Sequence, residues 1–305
     1  RSTPCEHSFP TRRSSDLRCK LKNKIIYLII IALVVVGTAS FLIFNKFNKT
    51  STVQPITKQT NNITKQTNNI KKKSLAITVK VALPKIPVLM YHSVTTDKSN
   101  KNELKISQAK LKAQLDYLKA NKYNTISLDQ LYSHMSKRTA LPTKPIIITF
   151  DDGYVDNYTL AYPLLKANNQ KATVFMIVNC INTGNYLTSK QLLEMNKNNF
   201  KVESHTNNHE DLSELTYTEQ VSTLKTSKIV LENLLGKKVL YVAYPSGKYN
   251  NSTSKAAHDV GFNLGISTDN GFTSVYDNYY TINRIYVNAF YSMRKFQYNL
   301  THEMK

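Results

Sequence analysis

The chain of 305 residues contains no tryptophan, only 8 glycines and only 3 cysteines, and its 20 acidic residues are outnumbered by 41 basic ones. The cysteines are Cys5, Cys19 and Cys180, and they form no disulfide framework. This excludes the small secreted domains that depend on such cross-links for stability. Exported bacterial proteins without disulfides are common, so the cysteine count does not identify the compartment.

The surplus of positive charge is concentrated in the N-terminal part of the chain. Residues 1–83 hold 15 basic against 2 acidic residues, whereas residues 84–305 hold 26 against 18. A mildly basic domain suits a protein that works near anionic cell surfaces. No motif of a nucleic-acid-binding module is present, and we therefore expect no nucleic-acid partner.

The first 44 residues divide into three pieces. Residues 7–17 read HSFPTRRSSDL, which matches one translation frame of a widely used sequencing adapter, and we interpret residues 1–17 as an assembly artefact. Residues 18–24 are a short basic segment that we expect to be cytoplasmic. Residues 25–44 are uncharged and apolar. Because about 20 apolar residues span a bilayer as a helix, we predict a transmembrane signal-anchor there.

The residues that flank this apolar run predict its orientation. Lys20, Lys22 and Lys24 precede it, which places the N-terminus in the cytoplasm and the C-terminal domain outside the cell, in a single-pass arrangement. Cleavage, which would give a secreted protein, stays open because the small residues GTAS lie within the run. Residues 45–83 are polar and contain ITKQTNN twice in tandem. One apolar residue per repeat cannot build a core, so we predict a disordered linker.

From Pro84 onward, short apolar runs alternate with amphipathic stretches. This alternation predicts parallel strands joined by helices in an α/β fold, and the number of repeats suits a barrel better than an open sheet. The predicted helices are residues 107–121, 159–168, 189–198 and 217–235. The predicted strands are PVLMYH, PIIITF, ATVFMIV, FKVES, KVLYVAY, FNLGIST and YTINRIYV.

Polar residues gather where these predicted strands end, which is the functional edge of such barrels. Asp151 and Asp152 follow PIIITF, His92 ends PVLMYH, and His205 and His209 follow FKVES. Two adjacent aspartates are costly to bury, so a metal ion or catalytic work must compensate. Two histidines and a carboxylate form a metal-binding set with room for water and substrate.

Each signal has an ordinary structural explanation when it is taken alone. The Asp-Asp-Gly sequence also suits a turn or a helix cap, a histidine pair four residues apart is often incidental, and a single histidine at a strand end is often structural. Their joint occurrence in chain order, always at strand ends, favours a metal-dependent active site.

Three segments carry a resemblance to a known family. TFDDGY, SHTNNH and YPSGKYN resemble, in order, the first three motifs of the polysaccharide deacetylases, the NodB-homology domain of carbohydrate esterase family four. PVLMYHSV and NRIYV resemble the subgroup of biofilm poly-N-acetylglucosamine deacetylases. The resemblance covers about residues 85–290. It implies a distorted (β/α)7 barrel, which agrees with the strand count, and assigns residues 84–305 to the deacetylase domain.

The resemblance also implies roles for individual residues. Asp152, His205 and His209 would hold a divalent metal, most often Zn²⁺, with Co²⁺, Ni²⁺ or Mn²⁺ as alternatives. Asp151 would be the general base, and His92 would be the general acid. The backbone N–H of Tyr154 would contribute to the oxyanion hole. Tyr244 and Pro245 would shape the substrate groove.

Three features of many family members are missing. A late Leu-x-His motif is absent, which is why His92 receives the acid role, and His302 is nearly at the end of the chain. Ala243 stands where many relatives carry the arginine that orients the base. The Asp-x-Trp element is also absent, and without tryptophan the sugar platform must come from tyrosine or phenylalanine.

The function that these expectations favour is metal-dependent N-deacetylation of an extracellular polysaccharide of the poly-N-acetylglucosamine type. The alternatives are a peptidoglycan N-acetylglucosamine deacetylase, an O-acetyl polysaccharide esterase, and an inactive surface protein that binds glycan. The intact metal set argues against the last of these. The expected partners are the acetylated polysaccharide and the membrane, and we expect a monomeric catalytic domain.

Overall fold

The computed structural model describes residues 85–302. The predicted adapter-derived piece, basic segment, anchor and linker lie outside the described residues and stay predictions. Within residues 85–302, none of the helices has both the length and the apolar character of a membrane span.

The described residues form ten strands and seven α-helices, in agreement with the predicted α/β class. The strands are β1 Val88–Tyr91, β2 Ser93–Thr95, β3 Lys105–Ser107, β4 Asn124–Thr125, β5 Pro145–Phe150, β6 Ala172–Met176, β7 Phe200–Ser204, β8 Tyr241–Ala243, β9 Leu264–Asn270 and β10 Ile282–Tyr286. The helices are α1 Gln108–Ala120, α2 Leu128–Lys137, α3 Tyr162–Ala167, α4 Ser189–Lys197, α5 Tyr217–Leu235, α6 Asn251–Val260 and α7 Met293–Asn299. A π-helical turn, Asn157–Ala161, runs directly into α3.

Seven parallel strands close into a ring in the order β1, β5, β6, β7, β8, β9, β10 and back to β1. The short β4 adds to β5 outside the ring, and β2 pairs only with β3. The ring is irregular, because the register shifts between β9 and β10 and only Ser204 and Val242 pair between β7 and β8. The predicted seven-stranded barrel is therefore confirmed, with all seven strands at the predicted segments.

The side chains of each strand alternate between two apolar layers. On β5, Ile146, Ile148 and Phe150 pack in the layer that contains the leucines of α1, α4 and α5, whereas Ile147 packs in the second layer. Because successive side chains of a strand point to opposite faces, the second layer is the barrel interior. Burial on both faces explains why β5 is a continuous apolar run rather than an alternating one.

The four predicted helices correspond to α1, the π-helical turn with α3, α4 and α5. The sequence analysis did not predict α2, α6 and α7. Two of these carry start signals in the sequence, because Ser127 with Gln130 and Asn250 with Thr253 form capping boxes at the starts of α2 and α6. These helices have few buried residues among many polar ones, so their sequences show only a weak apolar pattern.

A matched glycine pair tests how tightly the loop after β8 packs on β9. Gly247 and Gly236 have nearly equal φ angles of 66° and 64°, but a Cβ on Gly247 would lie 1.9 Å from Oγ1 of Thr268, whereas a Cβ on Gly236 would meet open space. We expect Gly236→Ala to cost about 1 kcal/mol from the left-handed backbone alone. We expect Gly247→Ala to cost about 3 kcal/mol, because overpacking adds to that strain. Urea denaturation measures both changes, and equal losses would contradict the tight packing.

Candidate active site

The residues singled out at the strand ends meet in one pocket of about 570 Å³ at the carboxyl end of the barrel. His92 follows β1, Asp151 and Asp152 follow β5, and His205 and His209 follow β7. The pocket is lined by Met90, His92, Glu103, Leu104, Asp151, Asp152, Tyr154, His205, His209, Ser246, Thr268 and Tyr286. The predicted placement of these side chains at the barrel mouth is confirmed.

Alternation along the strands explains which side chains reach this pocket. Ile147 faces the barrel interior, so Thr149 and Asp151, at steps of two residues, face it as well. On β10, Ile282 faces the interior, so Arg284, two residues later, faces it too. Inward-facing side chains at the ends of several strands therefore converge.

Asp152, His205 and His209 form a cluster with the composition of a metal site. Oδ1 of Asp152 lies 3.3 Å from Nε2 of His205 and 3.5 Å from Nε2 of His209. The three potential ligand atoms all lie within 4.8 Å of one another. Two imidazoles and one carboxylate leave coordination positions for water and substrate, as in catalytic zinc sites.

The hydrogen bonds of this cluster fit a cation between the three side chains. Nδ1 of His205 donates to the carbonyl oxygen of Ala243 at 2.8 Å, because a carbonyl can only accept. When His205 is neutral, its Nε2 therefore carries a lone pair that faces a carboxylate oxygen. Oδ1 of Asp152 is buried and has no hydrogen-bond partner. Two facing acceptors of this kind need a positive charge between them, which a metal ion or a proton on His205 would supply.

The same environment acts on the protonation of the histidines. Burial by itself would lower the pKa of His205, but the neighbouring carboxylates Asp152 and Asp151 outweigh burial and raise it. Burial and the charge of His205 lower the pKa of His209, which is partly open to solvent. The carboxylates therefore attract positive charge to this cluster, either as a proton on a histidine or as a metal ion.

The loop that carries the two aspartates requires unusual backbone angles. Asp152 has a φ of 71°, and the next residue, Gly153, has a φ of 82°. A Cβ on Gly153 would lie 2.1 Å from Sδ of Met176 on β6, so only glycine fits. His209 also has a positive φ, of 59°. Left-handed non-glycine residues cost free energy and gather at functional sites, where the surrounding fold holds them in place.

Asp151 is held by a buried ion pair with Arg284 of β10. Nη1 and Nη2 of Arg284 donate to Oδ1 and Oδ2 of Asp151, both at 2.7 Å, and both residues are at most 2% exposed. Nε of Arg284 donates to the carbonyl oxygen of Ser267, and Nη1 also donates to Oγ1 of Thr149. Burial opposes ionisation of Asp151, but the Arg284 guanidinium holds the pKa of that carboxyl well below its usual range.

Arg284 is the functional residue that the sequence analysis missed. NRIYV was recognised only as part of a resemblance, and Ala243 left no residue to orient the base. The signal was present in the alternation of β10, because Ile282 faces the interior and a charged residue two positions later must face it too. A buried charge on such a strand requires an opposite charge at the same level.

His92 lies in the pocket, and hydrogen bonds hold its segment of chain. The Asn157 side chain donates to the His92 carbonyl at 2.7 Å. Asp156 accepts from the Ser93 hydroxyl at 2.5 Å and from the Val94 N–H at 2.9 Å. Burial lowers the pKa of His92, so the protonated imidazole is a stronger acid than usual. The π-helical turn after β5 thus helps to position a histidine from β1.

Comparison with known proteins agrees with this geometry. Residues 138–265 match the family model described as polysaccharide deacetylase. The Bacillus subtilis (strain 168) protein YxkH, named as a candidate polysaccharide deacetylase, is 36% identical over 203 residues, which cover 67% of this chain and 71% of YxkH. The chain belongs to the polysaccharide deacetylase family. It is therefore an enzyme, a hydrolase that acts on carbon–nitrogen bonds.

Two further relatives of this deacetylase agree with the family and the fold. A poly-beta-1,6-N-acetyl-D-glucosamine N-deacetylase of Staphylococcus aureus (strain MSSA476) is 26% identical over 209 residues, which cover 62% of this chain and 71% of the relative. The structure of Streptococcus pyogenes deacetylase PplD in complex with acetate matches with a TM-score of 0.69 and 30% identity. That match covers 72% of this chain and all of the PplD chain.

Tyr154 lies in the pocket of the deacetylase, beside Asp152. A bridge to Tyr186 is made by neighbouring backbone groups, because the Val155 N–H donates to the Asn185 carbonyl at 2.7 Å and the Leu187 N–H donates to the Gly153 carbonyl at 2.9 Å. The N–H of Tyr154 takes no part in this bridge. Its predicted place in the oxyanion hole stays a prediction.

Tyr244 and Pro245 lie behind the pocket wall rather than in it. Ala243 faces the barrel interior, so the side chain of Tyr244 points to the outer layer, where it is fully buried. Its hydroxyl lies close against Gly265, at which a Cβ would be 1.9 Å away. Pro245 is also buried, and Ser246, with a φ of 53°, is the residue that reaches the pocket. Neither Tyr244 nor Pro245 lines the pocket, and their predicted part in shaping the substrate groove stays a prediction.

The Asp151–Arg284 pair has a testable energetic signature. Arg284→Met leaves a buried carboxylate without its partner, and Asp151→Asn leaves a buried guanidinium. We expect each single change to lower the free energy of unfolding by about 3–5 kcal/mol. The double variant should lose clearly less than the sum of the two, because it removes both charges. Urea denaturation in the presence of a chelator measures all three, and additive losses would contradict a coupled pair.

Proposed function

We propose that this deacetylase removes N-acetyl groups from N-acetylglucosamine units of an extracellular polysaccharide of the poly-N-acetylglucosamine type, with a divalent metal as cofactor. The observation that carries the proposal is that the two adjacent carboxylates, Asp151 and Asp152, have different partners. Asp152 presents an unpartnered oxygen to two histidines, whereas Asp151 is paired with Arg284 and stays ionised beside it. One carboxylate is arranged to hold a cation and the other to accept a proton.

Asp152, His205 and His209 would hold the metal, with Zn²⁺ as the first expectation and Co²⁺, Ni²⁺ or Mn²⁺ as alternatives. A divalent ion held there supplies Lewis acidity toward the acetamide carbonyl and lowers the pKa of water. This donor set suits such ions because imidazole and carboxylate are their common protein ligands. Oδ1 of Asp152, which lacks any hydrogen-bond partner, is the ligand atom that most needs the ion.

The remaining residues supply proton transfer and positioning. Asp151 accepts a proton from the attacking water, and Arg284 fixes both carboxylate oxygens so that the base does not rotate. The Tyr154 N–H stabilises the developing oxyanion. His92 donates a proton to the leaving amine, and its lowered pKa strengthens it as an acid. Asp151, Tyr154 and His92 line the same pocket, and Arg284 acts on it through Asp151.

The choice of N-acetylglucosamine polymer rests on two kinds of support. The Staphylococcus aureus relative is named for poly-beta-1,6-N-acetyl-D-glucosamine and matches 62% of this chain. The pocket also has the early His92, in place of a late histidine motif, as expected for that subgroup. Peptidoglycan and O-acetylated polysaccharides are the alternative substrates, and an inactive glycan-binding protein would not need the complete set of Asp152, His205 and His209.

Acetate release tests the reaction and the substrate together. The full-length protein, loaded with Zn²⁺ or Co²⁺, is offered β-1,6-linked N-acetylglucosamine oligomers, peptidoglycan and an O-acetylated polysaccharide in parallel. We expect release from the oligomers, and we expect Asp151→Asn to lower kcat by about 10²–10⁴-fold, the usual contribution of a general base. Chelation should abolish release and added metal should restore it.

Other outcomes of this experiment identify a different function. Release from peptidoglycan alone would keep the mechanism and reject the proposed polymer. Release only from the O-acetylated substrate would indicate an esterase. Bound metal without release from any of the three would favour a glycan-binding protein.

We also propose that the catalytic domain lies outside the cell, attached by a helix at residues 25–44. The support is the uncharged apolar run with lysines before it, in the part of the chain that precedes the described domain. Protease added to intact cells should digest a C-terminal tag on the protein while a cytoplasmic marker survives. Recovery of the tagged protein in the medium would indicate cleavage, and protection of the tag in intact cells would reject the proposal.

A further inference from the structure

A pocket of about 500 Å³ lies at the amino end of the barrel, opposite the active-site pocket. It is bordered by the two loops that lead into β6 and β7, residues 168–171 and 198–199, and by the ends of α3 and α4. Because β6 and β7 are parallel neighbours, both loops lie at the same end of the ring. The proposed deacetylation uses none of the residues that line this pocket. Its volume falls in the range of roughly 300–1,000 Å³ that is usual for ligand pockets.

The charged side chains of this pocket all have one sign. Among the described residues, three lysines line it, Lys166, Lys197 and Lys201, and no aspartate or glutamate does. The ion pairs in this part of the chain involve other lysines, so none of the three is paired with a carboxylate there. Nζ of Lys201, which is half-buried, donates to the carbonyl oxygen of Asn196 at 3.2 Å, and that neutral group does not offset its charge. Three such cations around one cavity attract an anion.

The neighbouring strands add positive charge at the same end of the barrel. Lys144 directly precedes β5, and Lys171 directly precedes β6. Nζ of Lys144 donates to the Asn121 carbonyl at 3.0 Å. Nζ of Lys171 donates to Oε1 of Gln130 at 3.1 Å. Both acceptors are neutral, so these two charges add to the field of the pocket and raise the local concentration of anions.

The rest of the lining offers hydrogen bonds rather than charge. Nδ2 of Asn199 donates to Oδ1 of Asn169 at 3.1 Å, which joins the two loops. Nε2 of Gln170 donates to the Leu115 carbonyl at 2.9 Å, which fixes the orientation of this amide. Oε1 of Gln170 and the hydroxyl of Tyr162 are buried and have no hydrogen-bond partner. Because buried polar groups are normally paired, these lining residues keep an acceptor and a donor in reserve.

This combination of groups indicates a class of ligand. A phosphate ester is an anion with several acceptor oxygens, and lysine is a common phosphate ligand in proteins. A hydroxylated group attached to the phosphate matches the unpaired acceptor of Gln170 and the unpaired hydroxyl of Tyr162. The volume of the pocket has room for a small organic group beside the phosphate. A neutral sugar, in contrast, would leave the three lysines without a counter-charge.

We propose that this amino-end pocket binds a phosphate ester of a small polyol, the chemistry of a glycerol phosphate. The chain enters the barrel at the same end, because Ile86 and Pro87 directly precede β1, and the proposed anchor lies in the preceding part of the chain. A phospholipid headgroup is therefore the favoured source of this group, and a soluble glycerol phosphate is the other. A headgroup bound there directs the active-site end of the barrel away from the lipid surface. The pocket itself does not depend on the proposed reaction.

Lysine labelling tests the pocket in the full-length, metal-loaded protein, held in micelles of a neutral detergent. A water-soluble acetylating reagent is applied with and without glycerol 3-phosphate, and mass spectrometry measures the labelling of each lysine. We expect the phosphate ester to slow the labelling of Lys166, Lys197 and Lys201 by more than about fivefold at saturation, because the bound ligand covers them. The control lysines are Lys190, at the other end of α4, and Lys225 of α5, which do not line the pocket. Their labelling should not change.

Two arms of this experiment distinguish the sources of the phosphate. Phosphatidylglycerol mixed into the micelles, with phosphatidylcholine as the net-neutral control, presents the headgroup, and glycerol 3-phosphate presents the free ester. Protection by phosphatidylglycerol alone would identify a lipid headgroup, and protection by the soluble ester alone would identify a soluble ligand. Sulfate and glycerol are the further controls, and equal protection by sulfate would reject the polyol phosphate class. No protection in either arm, or equal protection of Lys190 and Lys225, would overturn the site.

Two double variants with the same loss of charge provide an independent check. Lys197→Gln with Lys201→Gln should abolish the protection of Lys166, whereas Lys190→Gln with Lys225→Gln should preserve it. Acetate release from short N-acetylglucosamine oligomers and the unfolding midpoint should stay unchanged in both proteins, because none of these lysines lines the active-site pocket. Protection of Lys166 that survives the first double variant would overturn the pocket. Failure of the unaltered protein to release acetate would instead contradict the proposed function and leave the binding result intact.

Discussion

The ion pair between Arg284 and Asp151, buried inside the barrel, is the interaction on which the rest of the site depends. Neither charge is tolerable there alone, because each has lost its hydration and the other is the charge that it is hydrogen-bonded to. The pair joins β10 to the end of β5, which are not neighbours in the ring, so it also fixes the spacing across the barrel mouth. It permits Asp151 to stay ionised while Asp152, the next residue, is available to a cation. Two adjacent carboxylates thus acquire separate roles from separate partners.

Strand alternation determines which side chains can join this arrangement. Within a strand, a residue two positions beyond an interior residue faces the barrel interior again, and a residue one position beyond it faces the helices. Asp151 and Arg284 satisfy the first condition, and Tyr244 satisfies the second. All three residues lie in recognised motifs, so the motifs alone do not show which side chains face the interior. Tyr244 belongs to the same segment, YPSGKYN, as Ser246, yet of these two residues only Ser246, which has a positive φ, lines the pocket.

The barrel and the metal-site cluster could be predicted from the sequence because both leave strong local patterns. Seven apolar runs marked the strands, and Asp152, His205 and His209 each follow one of them. Arg284 could not be assigned a role in the same way, because its partner lies 133 positions earlier in the chain and nothing local connects the two. The helices α2, α6 and α7 were missed for a related reason, since their few buried positions have meaning only against a barrel that is already formed.

Ala243 stands where many relatives carry the arginine that orients the base, and here another residue takes that role. An arginine at this position would add a second guanidinium to an interior in which Asp151 already satisfies one. Arg284 reaches Asp151 from β10 instead, and the Ala243 carbonyl accepts the Nδ1 hydrogen of His205. In this chain, the guanidinium beside Asp151 therefore comes from position 284 and not from position 243. Asp151 is the buried carboxylate that needs a guanidinium, and Arg284 supplies one from β10 in bidentate geometry.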